Sequence, residues 1–369
     1  MNSKKSEIIG ELRRKIDSID EDLLVLINNR MRLAKEVGAI KEREGQGCII
    51  DPTREAKVID RLVRLNRGPL EEKHLRHILT EIIAVSRQIR FHGKRRFMRI
   101  DSATRLYAVL GDPVAHSLSP LMHNCAFEEK GLNGVYVALR VTDPKGAVAA
   151  VKSLGLAGCS ITIPHKTAVL PFLEEVTPFA RQVGAVNTII NRDGYLTGDN
   201  TDGPAALAAL QSKIKVAGKK VALIGAGGAA RGVGHALCAA GAAVTILNRS
   251  VDKGERLAQT LSADFAPLAE VDQRPFDVLV NTTSMGMYPD VRSSPLNEYI
   301  YIQNQVIMDI IYNPLETRLI ARARRKGCMV IDGAEMFVRQ GALQFELWTG
   351  VPAPYEKMET AVRQELSSS

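Results

Sequence analysis

The stretch that most constrains this chain runs from Val221 to Ser250, VALIGAGGAARGVGHALCAAGAAVTILNRS. Val221–Ile224 is an unbroken apolar run of the length of a strand buried on both faces in a parallel sheet. Gly225-Ala226-Gly227-Gly228-Ala229-Ala230 follows at once, then a helical pattern, then a second strand over 243–247. Strand, glycine turn, helix and strand within about thirty residues form the dinucleotide-binding unit G-x-G-x-x-G/A, with Ala230 in the last small position. Each small residue has a task. Gly225 permits the tight turn, Gly227 lets a pyrophosphate approach the backbone, and Ala230 lets helix and strand pack closely. The phosphates then meet unpaired N–H groups and the positive end of the helix dipole.

The end of the second strand selects the cofactor. A site for NAD usually places Asp or Glu there, on the ribose 2′-hydroxyl. This chain has Asn248-Arg249-Ser250, with Lys253 just beyond. A guanidinium in place of an acid points to the 2′-phosphate of NADP.

At 369 residues the chain is long for a single domain. Its 45% hydrophobic and 24% charged residues are those of an ordinary globular protein. No apolar run is long enough to span a membrane, and MNSKKSEIIGELRRK lacks the apolar core of a signal peptide. The five cysteines are scattered without a CxxC pair, which fits reduced thiols in the cytoplasm and offers no metal site. Residues 1–100 hold 23 Lys+Arg against 15 Asp+Glu, so the whole net charge of +8 belongs to them. Such a segment suits nucleic acid or a small polyanionic substrate. Aromatic residues for stacking on bases are nearly absent from it, which argues against nucleic acid.

Residues 6–43 read as one helix, with Leu12, Ile16, Ile19, Leu23, Leu26, Ile27, Val37 and Ile40 at helical spacings and no proline. A rod on the order of 55 Å is too long for a compact monomeric domain of this size. Asp51-Pro52 starts a second helix to about residue 66, Gly68-Pro69 ends it, and a third runs from about Glu71 to beyond Arg90. One long and two short helices leave a core that a partner chain would bury better. Arg30 and Lys41 share a face about 16 Å apart along the axis, so their long side chains can converge on one small molecule. Arg13 lies roughly 25 Å from Arg30 and on another side of the helix, so it reaches the same site only from a second, antiparallel chain.

L-R-x-x-I-D-x-I-D at Leu12–Asp20, Arg30, V-G-x-x-K at Val37–Lys41, Asp51-x-x-Arg54-Glu55 and Ser86 resemble the all-helical class of chorismate mutase. The resemblance covers residues 6–91. It implies an intertwined homodimer whose sites hold chorismate's carboxylates through Arg13 of one chain and Arg30 and Arg54 of the other. Lys41 would bond the ether oxygen, and Asp51 and Glu55 the hydroxyl. Four residues after Ser86, where the family carries Gln or Glu facing the ether oxygen, this chain has Arg90. Conversion of chorismate to prephenate is pericyclic and needs no nucleophile, acid or base. An enzyme helps by holding the reactive conformer and stabilising charge at the breaking bond, and fixed cations do both. Arg90 could serve that oxygen without needing protonation, or pair with Glu55 and leave a non-catalytic dimerisation or effector-binding module. His74 and His77 read as surface residues.

Periodicity stops at His92, and 93–104 reads as a linker. Beyond a strand at 105–110, Gly111–Pro120 places Ser117 and Ser119 at a helix start. They are either simple caps or binders of a substrate carboxylate. Then follow Ser160-Ile-Thr162-Ile-Pro-His-Lys166, Gly184-Ala-Val-Asn187-Thr188 and Gly198-Asp-Asn-Thr-Asp202-Gly203. With the glycine-rich stretch, this order resembles shikimate dehydrogenase from about Arg105 to the C-terminus. The resemblance implies that Ser117 and Ser119 bind the shikimate carboxylate and Thr162, Asn187 and Asp202 the ring hydroxyls. Lys166 and Asp202 would be the catalytic pair, Gly333 would lie near the nicotinamide, and Tyr312 and Gln340 would reach shikimate. Ser160 and His165 stand where many members have Asn and Phe. Either Lys166 or Asp202 alone is most simply a surface charge. Together they suit the chemistry, because reducing a ring ketone needs a hydride and a proton donor at the new hydroxyl.

The expected fold is therefore multi-domain: an all-α three-helix domain (1–92, dimeric), a linker, then a two-domain α/β dehydrogenase. Its substrate domain spans 105–204 and is completed by helices at 335–369, around a Rossmann NADP domain at 205–334. The expected activities are NADPH-dependent reduction of 3-dehydroshikimate and rearrangement of chorismate. The alternative is a quinate/shikimate dehydrogenase using NAD, with a helical domain that does not turn over.

Overall fold

The computed structural model describes residues 2–43, 52–90, 100–296 and 301–368. They fall into two compact units, Met1–Arg99 and Ile100–Ser369.

In the first unit, α1 (Asn2–Arg43), α2 (Pro52–Leu65) and α3 (Glu72–Arg90) follow the sequence periodicity. Helices α1 and α3 pack together, as do α2 and α3. Among the described residues, the shared interior is small. Met31, Ile83 and Ser86 are buried, whereas Leu12, Ile16, Ile19, Leu23, Leu26 and Val37 of the apolar stripe stay exposed, Ile16 at 57%. Arg76 fixes α2 to α3 by bonding Asp60 at 2.9 Å while holding Glu72 one turn back at 2.8 Å. His74 and His77 are exposed, and no group of metal-ligating residues occurs among the described residues.

The second unit carries two sheets. The first is formed by β1 (Arg105–Gly111), β2 (Gly134–Arg140), β3 (Gly158–Ile161), β4 (Glu175–Val176), β5 (Thr188–Arg192) and β6 (Tyr195–Asp199). Its order is β2-β1-β3-β5-β6-β4, parallel over the first three strands and antiparallel where β5 meets β3 and β6. Its helices are α4 (Ser119–Lys130), α5 (Pro144–Ser153) and α6 (Pro178–Val183). Local chemistry sets their starts. Asp143 caps α5 by accepting from the Lys145 and Gly146 N–H groups, and Thr177 caps α6, each followed by proline.

Helix α7 (Asp202–Gln211) leads to the second sheet, β7 (Lys220–Ile224), β8 (Ala243–Asn248), β9 (Asp264–Pro267), β10 (Val278–Asn281), β11 (Val306–Asp309) and β12 (Met329–Ile331). All its pairings are parallel, in the order β12-β11-β10-β7-β8-β9. Helices α8 (Gly228–Ala239), α9 (Val251–Leu261) and α10 (Arg318–Arg325) cover it. The apolar run of β7 has its reason here. Val221 and Leu223 enter the core under α8 and α9, while Ala222 and Ile224 enter the opposite core with α10.

Helices α11 (Gly333–Thr349) and α12 (Tyr355–Ser368) close the unit. Met336 of α11 lies in the core of the second sheet, whereas the Trp348 indole donates to the Ile189 carbonyl of the first. Gly158 is required beneath Trp348, because a Cβ there would overlap the indole ring. Helix α12 packs on α4, and Arg363 is tied to the α11 cap Asp332 at 2.9 Å.

One boundary needs correction. Residues 101–104, expected as linker, belong to the α/β unit. Thr104 and Asp101 bond each other, and both bond Asn133 at the edge of β2. The polar composition that suggests a linker here builds a side-chain-bonded turn. Ile100 falls in the same unit, and residues 93–99 lie outside the described residues.

Candidate functional site

The site of the second unit gathers where the two sheets face each other. Its centre is an ion pair between Lys166 Nζ and Asp202 Oδ2 at 2.6 Å. Lys166 follows β3 and Asp202 opens α7, so the backbone must bring them together. It does so by the Val186 N–H donating to the Lys166 carbonyl, the Ile161 N–H to the Asn187 carbonyl, and the Asn187 N–H to the Asp199 carbonyl. Side chains complete the arrangement. Asn187 Nδ2 donates to Asp202 Oδ1 at 2.9 Å, and Asn200 Oδ1 accepts the Asp202 N–H at the open start of α7. Asp202 is 8% exposed and Lys166 19%, so the carboxylate is enclosed while the ammonium stays reachable.

Thr162 lies in the same turn as Lys166, its carbonyl accepting the His165 N–H. His165, in place of the family's Phe, is buried with Nε2 2.7 Å from the Val141 carbonyl. Ser119 is the first residue of α4, whose N-cap Leu118 offers no side-chain cap, and the Ser119 N–H donates instead to Ser117 Oγ at 3.3 Å. The Ser117 hydroxyl faces Tyr312, which arrives from the other sheet and stacks on Phe337 at 4.3 Å. Burial pushes the Tyr312 phenol above its ordinary range, so it stays a hydrogen-bond donor. Gln340 donates to the Phe337 carbonyl of its own helix.

The glycine turn has the geometry its residues predict. Gly225 sits at φ 113°, a conformation that favours glycine, and a Cβ there would press within 2.8 Å of Thr282 Oγ1. A Cβ at Gly227 would meet nothing, so the space above the turn is open. No side chain caps α8, and Gly228 and Ala229 present its first N–H groups to that space. Ala226 is half-buried behind the turn, and Ala230 is fully buried as the packing residue. The turn lies between β7 and β10, where strand order reverses, the crevice in which such sheets bind ligands. Asn248 bonds the Ser250 carbonyl and shapes the loop after β8, leaving Arg249, Ser250 and Lys253 exposed beside it. This set of donors fits a dinucleotide with an extra phosphate.

Gly333 has a structural reason not evident in the sequence. A Cβ there would overlap the Ile311 carbonyl, so glycine lets α11 begin against the loop that carries Tyr312. Gly203 and Gly232 similarly let α7 and α8 cross closely, joining the helix that opens with Asp202 to the helix of the glycine turn. Sequence reasoning missed this pair, and it missed the buried Asn200, Thr201, Gln344 and His123. Asn200 and Thr201 were within reach, since they adjoin Asp202. Gln344, one turn after Gln340, has no motif of its own.

In the helical unit, Arg30 reaches α3, where its guanidinium donates to Ser86 Oγ and to the Ile82 carbonyl. Ser86 is buried and donates in turn to the Ile82 carbonyl at 2.6 Å. Two residues of the expected site thus meet. Arg13 is exposed on the same helix as Arg30, seventeen residues away. The side chains of Lys41, Arg54, Glu55 and Arg90, and all of Asp51, lie outside the described residues.

Residues 12–90 match the family model for chorismate mutase type II. Residues 109–189 match the shikimate dehydrogenase substrate binding domain, 206–312 shikimate/quinate 5-dehydrogenase, and 333–363 the shikimate 5′-dehydrogenase C-terminal domain. A shikimate dehydrogenase (NADP(+)) from a Geobacillus strain is 45% identical over 273 residues, 71% of this chain and 99% of the relative. One from Moorella thermoacetica is 43% identical over 286 residues, 74% of this chain and 97% of the relative. Among solved structures, a shikimate dehydrogenase in complex with NADP+ superposes with a TM-score of 0.71 at 39% identity, covering 73% of this chain and 98% of that one. The Thermus thermophilus enzyme with NADP(H) and shikimate gives 0.67 at 39%, covering 71% and 99%. The chain belongs to the shikimate dehydrogenase family and carries a chorismate mutase type II domain ahead of the dehydrogenase.

Proposed function

We propose that the chain reduces 3-dehydroshikimate reversibly to shikimate with NADPH in its α/β unit and rearranges chorismate to prephenate in its helical unit. The observation that carries the first activity is the Lys166–Asp202 pair, enclosed on the carboxylate side and open at the ammonium. Gly225–Ala230 and the start of α8 would hold the pyrophosphate, and Arg249, Ser250 and Lys253 the 2′-phosphate. NADPH, when bound, supplies the hydride. Lys166 Nζ donates a proton to the oxygen that becomes the new hydroxyl, and Asp202 holds the ammonium in place while accepting from a ring hydroxyl. Ser117 and Ser119, joined by Tyr312 and Gln340, take the carboxylate. Thr162 and Asn187 take the remaining hydroxyls. Gly333 contributes by setting the approach of α11 beside the nicotinamide.

In the helical unit, Arg13 of one chain and Arg30 and Arg54 of the other clamp the two carboxylates. Lys41 and Arg90 stabilise charge at the ether oxygen, and Asp51, Glu55 and Ser86 orient the hydroxyl side and the guanidinium of Arg30. The exposed stripe of α1 supports an antiparallel homodimer, because so much apolar surface on a small helical unit is covered best by a second copy. No described helix is long and apolar enough to cross a membrane, and the cytoplasm is our expectation for both substrates' enzyme.

The test is chorismate consumption by the purified full-length chain, with prephenate identified as product. Turnover that disappears in Arg30→Ala supports the double activity. A folded chain that oxidises shikimate with NADP+ but leaves chorismate unchanged overturns the mutase half.

A further inference from the structure

Behind the catalytic pair runs a buried polar chain whose outer members, Tyr136, Ser160, Gln344 and Thr188, have no part in the proposed reaction. The Tyr136 hydroxyl donates to Ser160 Oγ at 2.6 Å, and Ser160 Oγ donates to Gln344 Oε1 at 2.8 Å. Gln344 Nε2 then donates to Thr188 Oγ1 at 3.1 Å and to the Asn187 carbonyl at 3.0 Å. Thr188 Oγ1 donates to Asn187 Oδ1 at 2.7 Å, which leaves Asn187 Nδ2 to donate to Asp202 Oδ1 at 2.9 Å. Each of these groups is less than a tenth exposed.

The sense of each link follows from the one before. Burial raises the Tyr136 phenol far above its ordinary range, so it stays protonated and donates. Ser160 has one proton, and with its oxygen already accepting from Tyr136 that proton goes to Gln344. The Gln344 amide is thereby oriented with its N–H groups toward Thr188, whose own proton must go to Asn187. An Asn187 amide turned the other way would set its oxygen against the Asp202 carboxylate and leave buried donors without partners, a cost of about 1–3 kcal/mol per group. The backbone N–H of Thr201 helps by donating to the same Asn187 oxygen at 2.8 Å. Ser160 is the residue that stands where many family members have Asn, so this route through a hydroxyl is a property of the present chain.

We propose that Thr188 and Gln344 are positioning residues for hydride transfer, acting through the Asn187 amide on the aim of Asp202 and Lys166. The inference rests on the reading of Lys166 and Asp202 as the catalytic pair.

The experiment is steady-state shikimate oxidation by full-length Thr188→Val, Gln344→Met, their double variant and Thr188→Ser, with Lys166→Ala beside them. Misplaced catalytic groups should lower kcat about 10- to 100-fold in each single variant, with the KM for NADP+ unchanged as evidence of an intact fold. Thr188→Ser restores kcat because it restores the hydroxyl. The double variant is no worse than the weaker single one, because both act through one amide. Wild-type kcat in Thr188→Val and Gln344→Met, alongside an inactive Lys166→Ala, overturns the proposal and leaves the catalytic pair standing. Losses in kcat that multiply in the double variant, or a raised KM for NADP+, overturn it in favour of general loosening. An active Lys166→Ala sinks the underlying reading instead, and the proposal with it.

Discussion

In the α/β unit, Lys166 and Asp202 come from separate elements of one chain and already touch. In the helical unit, Arg13 and Arg30 lie on one straight helix, roughly 25 Å apart, and nothing in that chain can bring them together. The packing differs in the same way. Each sheet of the α/β unit is sealed by helices, with Trp348, Tyr107, Phe127 and Phe345 buried in contact. Among its described residues the three-helix unit buries Met31, Ile83 and Ser86 and exposes most of its long apolar stripe. The α/β unit thus holds its catalytic pair within one chain, whereas the helical unit leaves its apolar stripe uncovered. The lesson is that a site and its core are completed together, since in the proposed homodimer the same second copy supplies Arg13 and covers the stripe.

The largest expected effect separates the two units by chemistry. Lys166→Ala or Asp202→Asn should cost the dehydrogenase up to about 10⁴-fold in kcat while chorismate turnover is unchanged. A parallel loss of both activities in these variants would show that the units do not work separately.

Acid should distinguish them next. His123 is fully buried between Tyr136 and Trp348, and burial pulls its imidazole down to about 3, with the Gln344 side chain opposing. The unfolded chain binds a proton there below about pH 6.5, and the folded chain does not until about pH 3. Stability of the α/β unit therefore falls as the pH drops from about 6.5 to 3, by up to about 5 kcal/mol through this group. Trp348 is the only tryptophan, so its fluorescence reports that unit. His123→Phe should flatten the acid limb of the denaturation midpoints; an unchanged limb would assign it to other groups.

A charged residue on the exposed stripe is a sharper probe of incompleteness. Ile16→Lys with Leu23→Lys should lower chorismate turnover on the order of 100-fold at dilute enzyme, with a monomer in sedimentation and normal shikimate oxidation. The smallest effect belongs to the cofactor. Arg249→Asp should shift the NADP+ to NAD+ ratio of kcat/KM by about 30-fold toward NAD+, measured with saturating shikimate.

Much of this was legible in the sequence, and unevenly so. The fingerprint at Gly225–Ala230 fixed the second sheet, because strand, turn and helix must follow one another for the turn to work. Lys166, Asn187 and Asp202 were readable as members of ordered motifs, and the structure joins them through one carboxylate. What escaped was contact between segments far apart in the chain. Gln344 meets Ser160 across 184 residues, and Gly333 is explained only by the backbone of Ile311. Asp101–Thr104 misled for the opposite reason, since polar residues that bond one another resemble a linker in composition.

The central claim is that the helical site takes residues from two chains whereas the α/β site takes them from one. Mixing Arg13→Ala with Arg30→Ala and allowing subunits to exchange tests it directly. Each homodimer should be inactive on chorismate. The mixture should regain about one quarter of wild-type mutase activity, since half the dimers then hold one intact site of two. Shikimate oxidation should be constant throughout. A mixture as inactive as its components, despite demonstrated subunit exchange, would contradict the account.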